Sequence, residues 1–558
     1  MDDTSRAPSA VSGDKGYADL QEHVAALEKA GLVYRITEPV NKDTEMHALV
    51  RWQYRGGIPE HDRKAFLFTN VTDSKGRHYD MPVIVGAMAG SREIYRMGLN
   101  VPKEEIGAIW QKALDHPVPP VVVSKAPCQD VVIEGDDLIG LGKGLDALPV
   151  PISTPGFDSA PYITAGNFVT KDPENGIQNL GTYRAGLKAS NRLVVRMATR
   201  NGGAGGYPHW EKYRALGQKM PCACVLGCPP AVAYTGPQKV MRDVDELAVA
   251  GGLAGAPIRI VKCRTVDLMV PADSEIIIEG FIDTTQLEPE APFGESHGHI
   301  SLEDFNMIFD ITCITHRRKP MFASIISQVT PSESSSIKRD AYEQMFLAHV
   351  TKTLGVRAVK RVVMHEPLTN LRRVIFLVMQ QGTPRSEVWR ALQGVAALRA
   401  DCGKYVIAVN EDIDPENTDA VFWSMAYRAK PNEDVQILKY RDGGHGPKGG
   451  GQSFDGTMLI DATLKAKSAP LALPKREYME HARAMWERLQ LPTLKPEAPW
   501  HGYSLGDWNQ EWDDMAAAAT RGDYMENGKR SAGLRQSGLK PNTPFRRDGS
   551  KPEPSQHD

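Results

Sequence analysis

Glu288-Pro289-Glu290-Ala291-Pro292-Phe293-Gly294-Glu295 sets three carboxylates within eight residues, among two prolines and a glycine. Proline fixes its own backbone and glycine favours turns, so the stretch reads as a stiff loop rather than a solvated helix face. Two carboxylates held close raise the pKa of at least one, which leaves a proton donor near neutral pH, while an arginine beside them keeps the other ionised. An exposed acidic turn is the other reading of the same residues. Upstream, Asn179-Leu180-Gly181-Thr182-Tyr183-Arg184 supplies a candidate arginine. Gly181 permits close approach of backbone to a ligand, and the planar fork of Arg184 suits a carboxylate or a ligand carbonyl. A strand-end arginine in a surface ion pair is the alternative.

Both stretches lie in a region, from Val131 to about Thr330, of short β-type runs broken by Gly and Pro. Tyr162 to Val169, Leu193 to Met197, Ile258 to Cys263 and Glu275 to Ile278 read as strands of a β-barrel or sandwich. On the N-terminal side, residues 1–16 are polar and small and are expected to be disordered. Residues 17–125 then alternate helix and strand signals. Leu20, Val24 and Leu27 recur at helical spacing, Gly31 stands at a C-cap position, and Val33 to Ile36 follows as a strand. On the C-terminal side, residues 331–495 alternate again, with helices at Tyr342 to Leu354 and Val388 to Leu398 and strands at Arg373 to Val378 and Tyr405 to Val409. In the tail, 496–558, Trp500, Trp508 and Trp512 read as anchors on a neighbouring surface, and Arg530 to Asp558 as a disordered end. The expected fold is therefore a multidomain α/β (α+β) chain: an N-terminal α/β domain, a central β-rich domain (126–330) and a C-terminal α/β domain.

Composition sets outer bounds. The 558 residues suffice for about three domains. A formal net charge of -3 gives no electrostatic footprint for nucleic acid or an anionic membrane. No apolar run approaches the ~18 residues of a membrane span, and Met1-Asp2-Asp3-Thr4 lacks the pattern of a secretory signal. A cytoplasmic location is expected. The seven cysteines are scattered, as reduced thiols in that compartment are. The one cluster, Cys222, Cys224 and Cys228, reads either as three metal-binding thiolates or as small core residues around a buried strand, Val225-Leu226.

These motifs, taken in order, resemble the UbiD family of prenyl-flavin decarboxylases. The resemblance runs from Ala126-Pro127-Cys128-Gln129 through Gln178 to Arg184 and Ala291-Pro292-Phe293-Gly294-Glu295 to Asp461-Ala462-Thr463. It ends in a closing helix, Ala484-Met485-Trp486-Glu487-Arg488-Leu489, and covers most of residues 17 to 495. The resemblance implies a central flavin-binding split β-barrel, a C-terminal dimerisation domain and a homodimer or homohexamer. It implies that Arg184, Glu290 and Glu295 form the catalytic network, with Glu295 as proton donor and Arg184 and Glu290 orienting substrate and cofactor. It also implies prenylated FMN, made by a partner flavin prenyltransferase. The flavin would be contacted by Thr182, Tyr183, Arg184, Arg196, Met197, Ala198, Asn201 and Gly202, and its phosphate held through Mn2+ or Mg2+ with K+ nearby. Asn179 and Glu246 match the metal ligands; without the resemblance Glu246 is a helix-surface glutamate.

Two departures from the family pattern stand out. Many relatives carry a His where Arg200-Asn201-Gly202-Gly203 stands here, so the third metal ligand is open between a phosphate-binding Arg200 with water and His209, nine residues on. A Lys that often precedes Asp-Ala-Thr in relatives is replaced by Thr457, which leaves Lys448, in the glycine-rich 443–451 loop, as the candidate substitute. The resemblance implies reversible, non-oxidative decarboxylation of an aromatic or α,β-unsaturated acid, free or as a CoA thioester. The competing readings are a non-catalytic flavin-binding subunit of a carboxylase complex and a flavin-free metal-dependent enzyme. Retention of Arg184, Glu290 and Glu295 argues against the first, and the sparse ligand set against the second.

Overall fold

The computed structural model describes residues 16–197, 205–238, 244–290, 292–443, 454–465, 474–494 and 509–541. It divides into two compact units, Met1–Glu411 with Pro415–Thr463, and Asp412–Asp414 with Leu464–Asp558. The first unit is built around a nine-stranded sheet. Its strands are β1 (Val131–Glu134), β2 (Tyr162–Ile163), β3 (Asn167–Lys171), β4 (Gln178–Thr182), β5 (Arg184–Ala189), β6 (Arg192–Arg196), β7 (Met220–Leu226) and β8 (Ile276–Glu290). After the short hairpin of β9 (Phe293–Gly294) and β10 (Ile300–Ser301), the last strand of the sheet is β11 (Asp304–His316).

The strand order is β4-β3-β7-β8-β11-β6-β5-β2, with β1 added on β11. Thr182 ends β4 on one side of this order and Arg184 begins β5 six steps away, with only Tyr183 between them. Strands lie about 4.8 Å apart, so a flat sheet would separate the two by about 29 Å, whereas two Cα–Cα steps span at most about 7 Å. The sheet must therefore curl until its ends meet at Tyr183, which decides for a barrel between the two β readings and agrees with the split barrel that the resemblance implies. Gly280 assists the curl at a register shift in the β8–β11 ladder, where a Cβ would stand 1.9 Å from the carbonyl of Asp310.

Alternate residues of the central strands enter two cores. Phe168, Cys222, Cys224, Leu226, Ile276 and Ile278 pack together on one face, while Val169, Ala223, Val225 and Ile277 pack with the N-terminal helices on the other. Burial on both faces explains why these strands read as near-continuous apolar runs instead of alternating ones. Cys222 and Cys224 are core residues whose thiols burial pushes well up. Among the described residues no group of three or more His, Cys, Asp or Glu is arranged to hold a metal ion.

On the N-terminal side, helix Leu20–Lys29 is capped by Asp19, and Gly31 takes a positive φ after it. Strands Val33–Ile36, Ala65–Phe68 and Val83–Val85 form a sheet completed by Phe322–Ser324, a segment assigned on sequence to the central domain. Residues 359–461 contribute a five-stranded sheet, ordered Val359–Met364, Val374–Met379, Tyr405–Asn410, Phe454–Asp461, Val435–Asp442. In the second unit, helices Arg476–Arg488, Gln510–Thr520 and Tyr524–Gly533 are the described elements. Among the described residues of the whole chain, no helix is long and apolar enough to cross a membrane.

Several sequence expectations are corrected. The run 162–169 is two strands, β2 and β3, separated by a turn. The helix expected from Tyr342 begins at Glu333 and ends at Ala348, where a π-helical turn, His349–Thr353, continues it. Ser332 and Ser335 form a capping box at its start. The disordered end expected from Arg530 begins too early, since Arg530 lies in the helix Tyr524–Gly533. Glu288 to Glu290 is not loop but the end of β8, paired residue by residue with Asp304 to Asn306 of β11. Proline at 289 does not prevent this in a strand end that turns within a few residues. Residues 1–15, with most of the expected N-terminal disorder, Trp500, Trp508 and Lys448 lie outside the described residues.

Candidate functional site

The curl that joins β4 to β5 places Arg184 at the mouth of the barrel, and the β8–β9 corner brings both glutamates to it. Arg184 donates from Nε to Oε1 of Glu290 at 2.8 Å and from Nη2 to Oε2 at 3.0 Å, a bidentate pair. Its remaining Nη1 donates to Oε1 of Glu295. Glu290 is fully buried and Glu295 nearly so, and Asn306 donates a further bond to Glu290 at 3.3 Å. The Phe293 ring lies 4.5 Å from the guanidinium carbon and packs on Tyr162, which fixes the plane of the fork. Burial opposes the charge of Arg184, but Glu295 and Glu290 outweigh it and hold the guanidinium above its ordinary pKa.

A staple from another loop fixes the glutamate corner. Asp158 accepts from Thr154 N at 2.7 Å and from Gly294 N at 3.1 Å, and Ser159 N donates to the carbonyl of Pro292. Gly294 has no room for a side chain, because a Cβ would stand 2.4 Å from Thr154 Oγ1. Burial raises the pKa of Asp158 despite these bonds.

Asn179 and Glu246 meet on the outer side of β4. Glu246 opens the wholly buried helix Glu246–Ala254 behind the Asp245 cap and accepts from Leu180 N at 3.1 Å. With its amide nitrogen turned inward, Asn179 donates to Oε1 of Glu246 at 3.3 Å. Burial pushes the Glu246 carboxyl up to about 7. Glycines close around this strand. At Gly205 a Cβ would lie 2.1 Å from the Asn179 side-chain amide, at Gly181 2.3 Å from the Tyr183 hydroxyl, and at Gly236 2.9 Å from Thr182 Oγ1.

The comparisons with known proteins fall on this framework. Three family models match, described as the 3-octaprenyl-4-hydroxybenzoate carboxy-lyase N-terminal domain (residues 24–114), Rift-related domain (121–329) and C-terminal domain (339–462). The chain belongs to the UbiD family of carboxy-lyases. Among solved structures, it is similar to an evolved dimeric form of the UbiD-class enzyme HmfF from Pelotomaculum thermopropionicum in complex with prFMN. The identity is 29% and the TM-score 0.70, covering 80% of this chain and 95% of that one. The FMN complex of HmfF gives 28%, a TM-score of 0.71 and coverages of 82% and 95%. Vanillic acid decarboxylase (ShVdcCD) of Sedimentibacter hydroxybenzoicus in closed form gives 26%, a TM-score of 0.71 and coverages of 85% and 100%.

Of the UbiD site residues read from the sequence, the structure brings Arg184, Glu290 and Glu295 together, and Asn179 with Glu246. Thr182 donates to Asn167 Oδ1 at 2.7 Å, and Tyr183 and Met197 are buried beside Gly206. Ala198, Arg200, Asn201 and Gly202 lie outside the described residues, as does Ala291. His209 uses Nδ1 on Thr170 Oγ1 at 2.9 Å and sets Nε2 4.0 Å from Asp172. Thr457 takes a bond from Arg441 at 3.1 Å. In Asp461-Ala462-Thr463, Asp461 accepts from both the amide and the hydroxyl of Thr463, a local turn that ends the strand.

The sequence reading missed one participant, Asp158, and one contact of a residue it named, Arg196. Asp158 carries no motif, since its part depends on a loop returning over the glutamate corner. Arg196, expected at the flavin, also reaches Glu295 with its side chain, Nη1 standing 3.4 Å from Oε1. Register supplied the missing signal, since Arg196 stands directly opposite Arg184 across β5 and β6.

Proposed function

We propose that this UbiD-family carboxy-lyase reversibly decarboxylates an aromatic or α,β-unsaturated carboxylic acid, free or as a CoA thioester, with prenylated FMN. The observation that carries this reading is the arginine shared between two buried carboxylates, Glu290 bidentate and Glu295 on the remaining nitrogen. The relatives crystallised with prFMN and FMN support the cofactor. The residues present fit the flavin, since a strand crowded by glycines offers backbone to a flat ring; Glu246 and, with its amide turned to present oxygen, Asn179 would supply hard oxygen donors for Mn2+ or Mg2+ at the phosphate. K+ nearby belongs to the same proposal. Cofactor contacts are assigned to the backbone from Thr182 to Arg184, with Arg196, Met197, Ala198, Asn201 and Gly202.

When bound, the prenylated flavin supplies the electron sink for the pair left by departing CO2. The protein does the rest. Arg184 orients the carboxylate of the acid, Glu290 and Phe293 hold Arg184 in plane, and Glu295 delivers a proton to the carbon that CO2 leaves. The apolar side chains exposed at Ile437, Tyr440 and Phe454 support a dimer contact on the C-terminal sheet. A homodimer or homohexamer in the cytoplasm completes the proposal.

The test is protein co-expressed with a flavin prenyltransferase and screened against aromatic acids and their CoA thioesters, reading CO2 release and hydrogen exchange at the product carbon. Flavin-loaded protein with neither signal on any acid supports a non-catalytic flavin-binding subunit. Decarboxylation by colourless, metal-loaded protein supports the flavin-free enzyme.

A further inference from the structure

Glu295 differs from Glu290 in sharing a second guanidinium. Arg184 and Arg196 are directly opposed residues of neighbouring antiparallel strands, a position where like charges are destabilising. Three carboxylates offset that repulsion. Glu290 takes two nitrogens of Arg184, Asp304 lies 3.7 Å from Nη2 of Arg196, and Oε1 of Glu295 sits between the two arginines. Ser301, in the hairpin that follows Glu295, accepts from Arg196 Nη1 at 2.9 Å and fixes its reach.

We propose that Arg196 is a positioning residue for Glu295, sharing Oε1 with Arg184 so that the carboxylate stays ionised until a bound acid competes for the two guanidinium groups. This rests on the reading of Glu295 as the proton donor. Neutralising Glu295 with both arginines unoccupied would restore their repulsion, so its protonation is opposed in the empty site. A substrate carboxylate entering against the arginine pair brings a replacement negative charge, and Glu295 can then take a proton from water. CO2 departs as the carbon–carbon bond breaks, and the pair left behind is the one that forms the new C–H bond. The O–H bond of Glu295 breaks as the new C–H bond forms, and the carboxylate returns to the arginines. The net reaction consumes one solvent proton per CO2.

Among the described residues, the charged and titratable groups around Glu295 include Arg184, Arg196, Glu290 and Asp304 on the barrel strands, Tyr162 behind Phe293, His297 and His299 on its own hairpin, and Asp158, which accepts from Gly294 N. Of the two described arginines at Glu295, Arg196 is the one whose removal leaves the Arg184–Glu290 pair intact. An opposite charge at this range moves a carboxyl by about one to three pH units.

The experiment compares wild type, Arg196→Met and Arg196→Lys. In flavin-free protein, the protonated-carboxyl infrared signal that Glu295→Gln removes is titrated with pH. Arg196→Met should raise its midpoint by about one pH unit or more, and Arg196→Lys should restore it. In flavin-loaded protein the high-pH limb of kcat/KM, taken per bound flavin, should move the same way. Coincident titrations of wild type and Arg196→Met overturn the proposal. So does loss of flavin in step with activity when the infrared midpoint stays in place, which would leave Arg196 with its cofactor contact alone. A shifted infrared titration together with a Glu295→Gln variant that still decarboxylates would uphold the pairing and remove Glu295 as the donor.

Discussion

Glu290 occupies Nε and Nη2 of Arg184 at 2.8 and 3.0 Å, leaving Nη1 as the nitrogen that reaches Glu295. The two glutamates are thus unequal, one locked to a fork and the other held at its end. Glu295→Gln keeps size and removes the deliverable proton, so turnover should fall by about 100-fold to 10,000-fold with flavin content unchanged. Glu290→Gln should lower hydrogen exchange at the product carbon and flavin maturation together, because it releases Arg184. Deuterium exchange from solvent separates the two, and a Glu295→Gln variant that exchanges like its parent would move the donor to Glu288 or Glu290.

Glu246→Ala should reduce bound metal and bound flavin in parallel, since one ion would link its carboxylate to the phosphate. Elemental analysis and flavin absorbance of the same preparation measure both. Full flavin content in the variant would leave the phosphate to other groups.

Gly205→Ala forces a methyl to within 2.1 Å of the Asn179 side-chain amide. The expected outcome is weakened flavin and metal retention with a change in Tm of no more than a few degrees, because the clash falls on a side chain at the site and not on the core. A large loss of Tm with normal flavin binding would contradict it.

Glu333 is fully buried and accepts from the amides of Gly86, Met88 and Ala89, yet burial raises its carboxyl from 4.5 to about 7. A carboxyl whose folded pKa lies above its unfolded value contributes stability that is fully present below the unfolded pKa and is lost as pH rises toward the folded one. Between pH 4.5 and about 7, wild type should therefore lose stability relative to Glu333→Gln. Denaturant midpoints of the two proteins across that range measure the difference, and parallel curves would refute it.

Ile437 and Tyr440 stand on the edge strand Val435–Asp442, 60% and 79% exposed. Replacing both with Glu should shift the oligomer toward smaller species in sedimentation at micromolar concentration. An unchanged profile would place the contact on another surface.

Local pattern and residue identity carried much of this protein. The apolar spacing of Leu20, Val24 and Leu27 and the alternation after residue 331 were enough for the mixed α/β class, and the order of the Asn179–Arg184 and Ala291–Glu295 motifs was enough, through resemblance, for the family and for singling out the arginine and its carboxylates. Helix and strand signals of this kind survive because each depends on neighbours within a few residues. The sequence erred where pairing overrides local preference: Glu288 to Glu290 reads as loop by its prolines, yet the β11 ladder draws it into strand. Only the closed sheet decided that Thr182 and Arg184 belong to opposite ends of the strand order, that Asp158 returns over Gly294, and that Arg196 faces Arg184 across a strand pair. Register and closure are fixed by contacts between residues far apart in the chain, and a one-residue change of register would have turned Arg196 to the other face of the sheet.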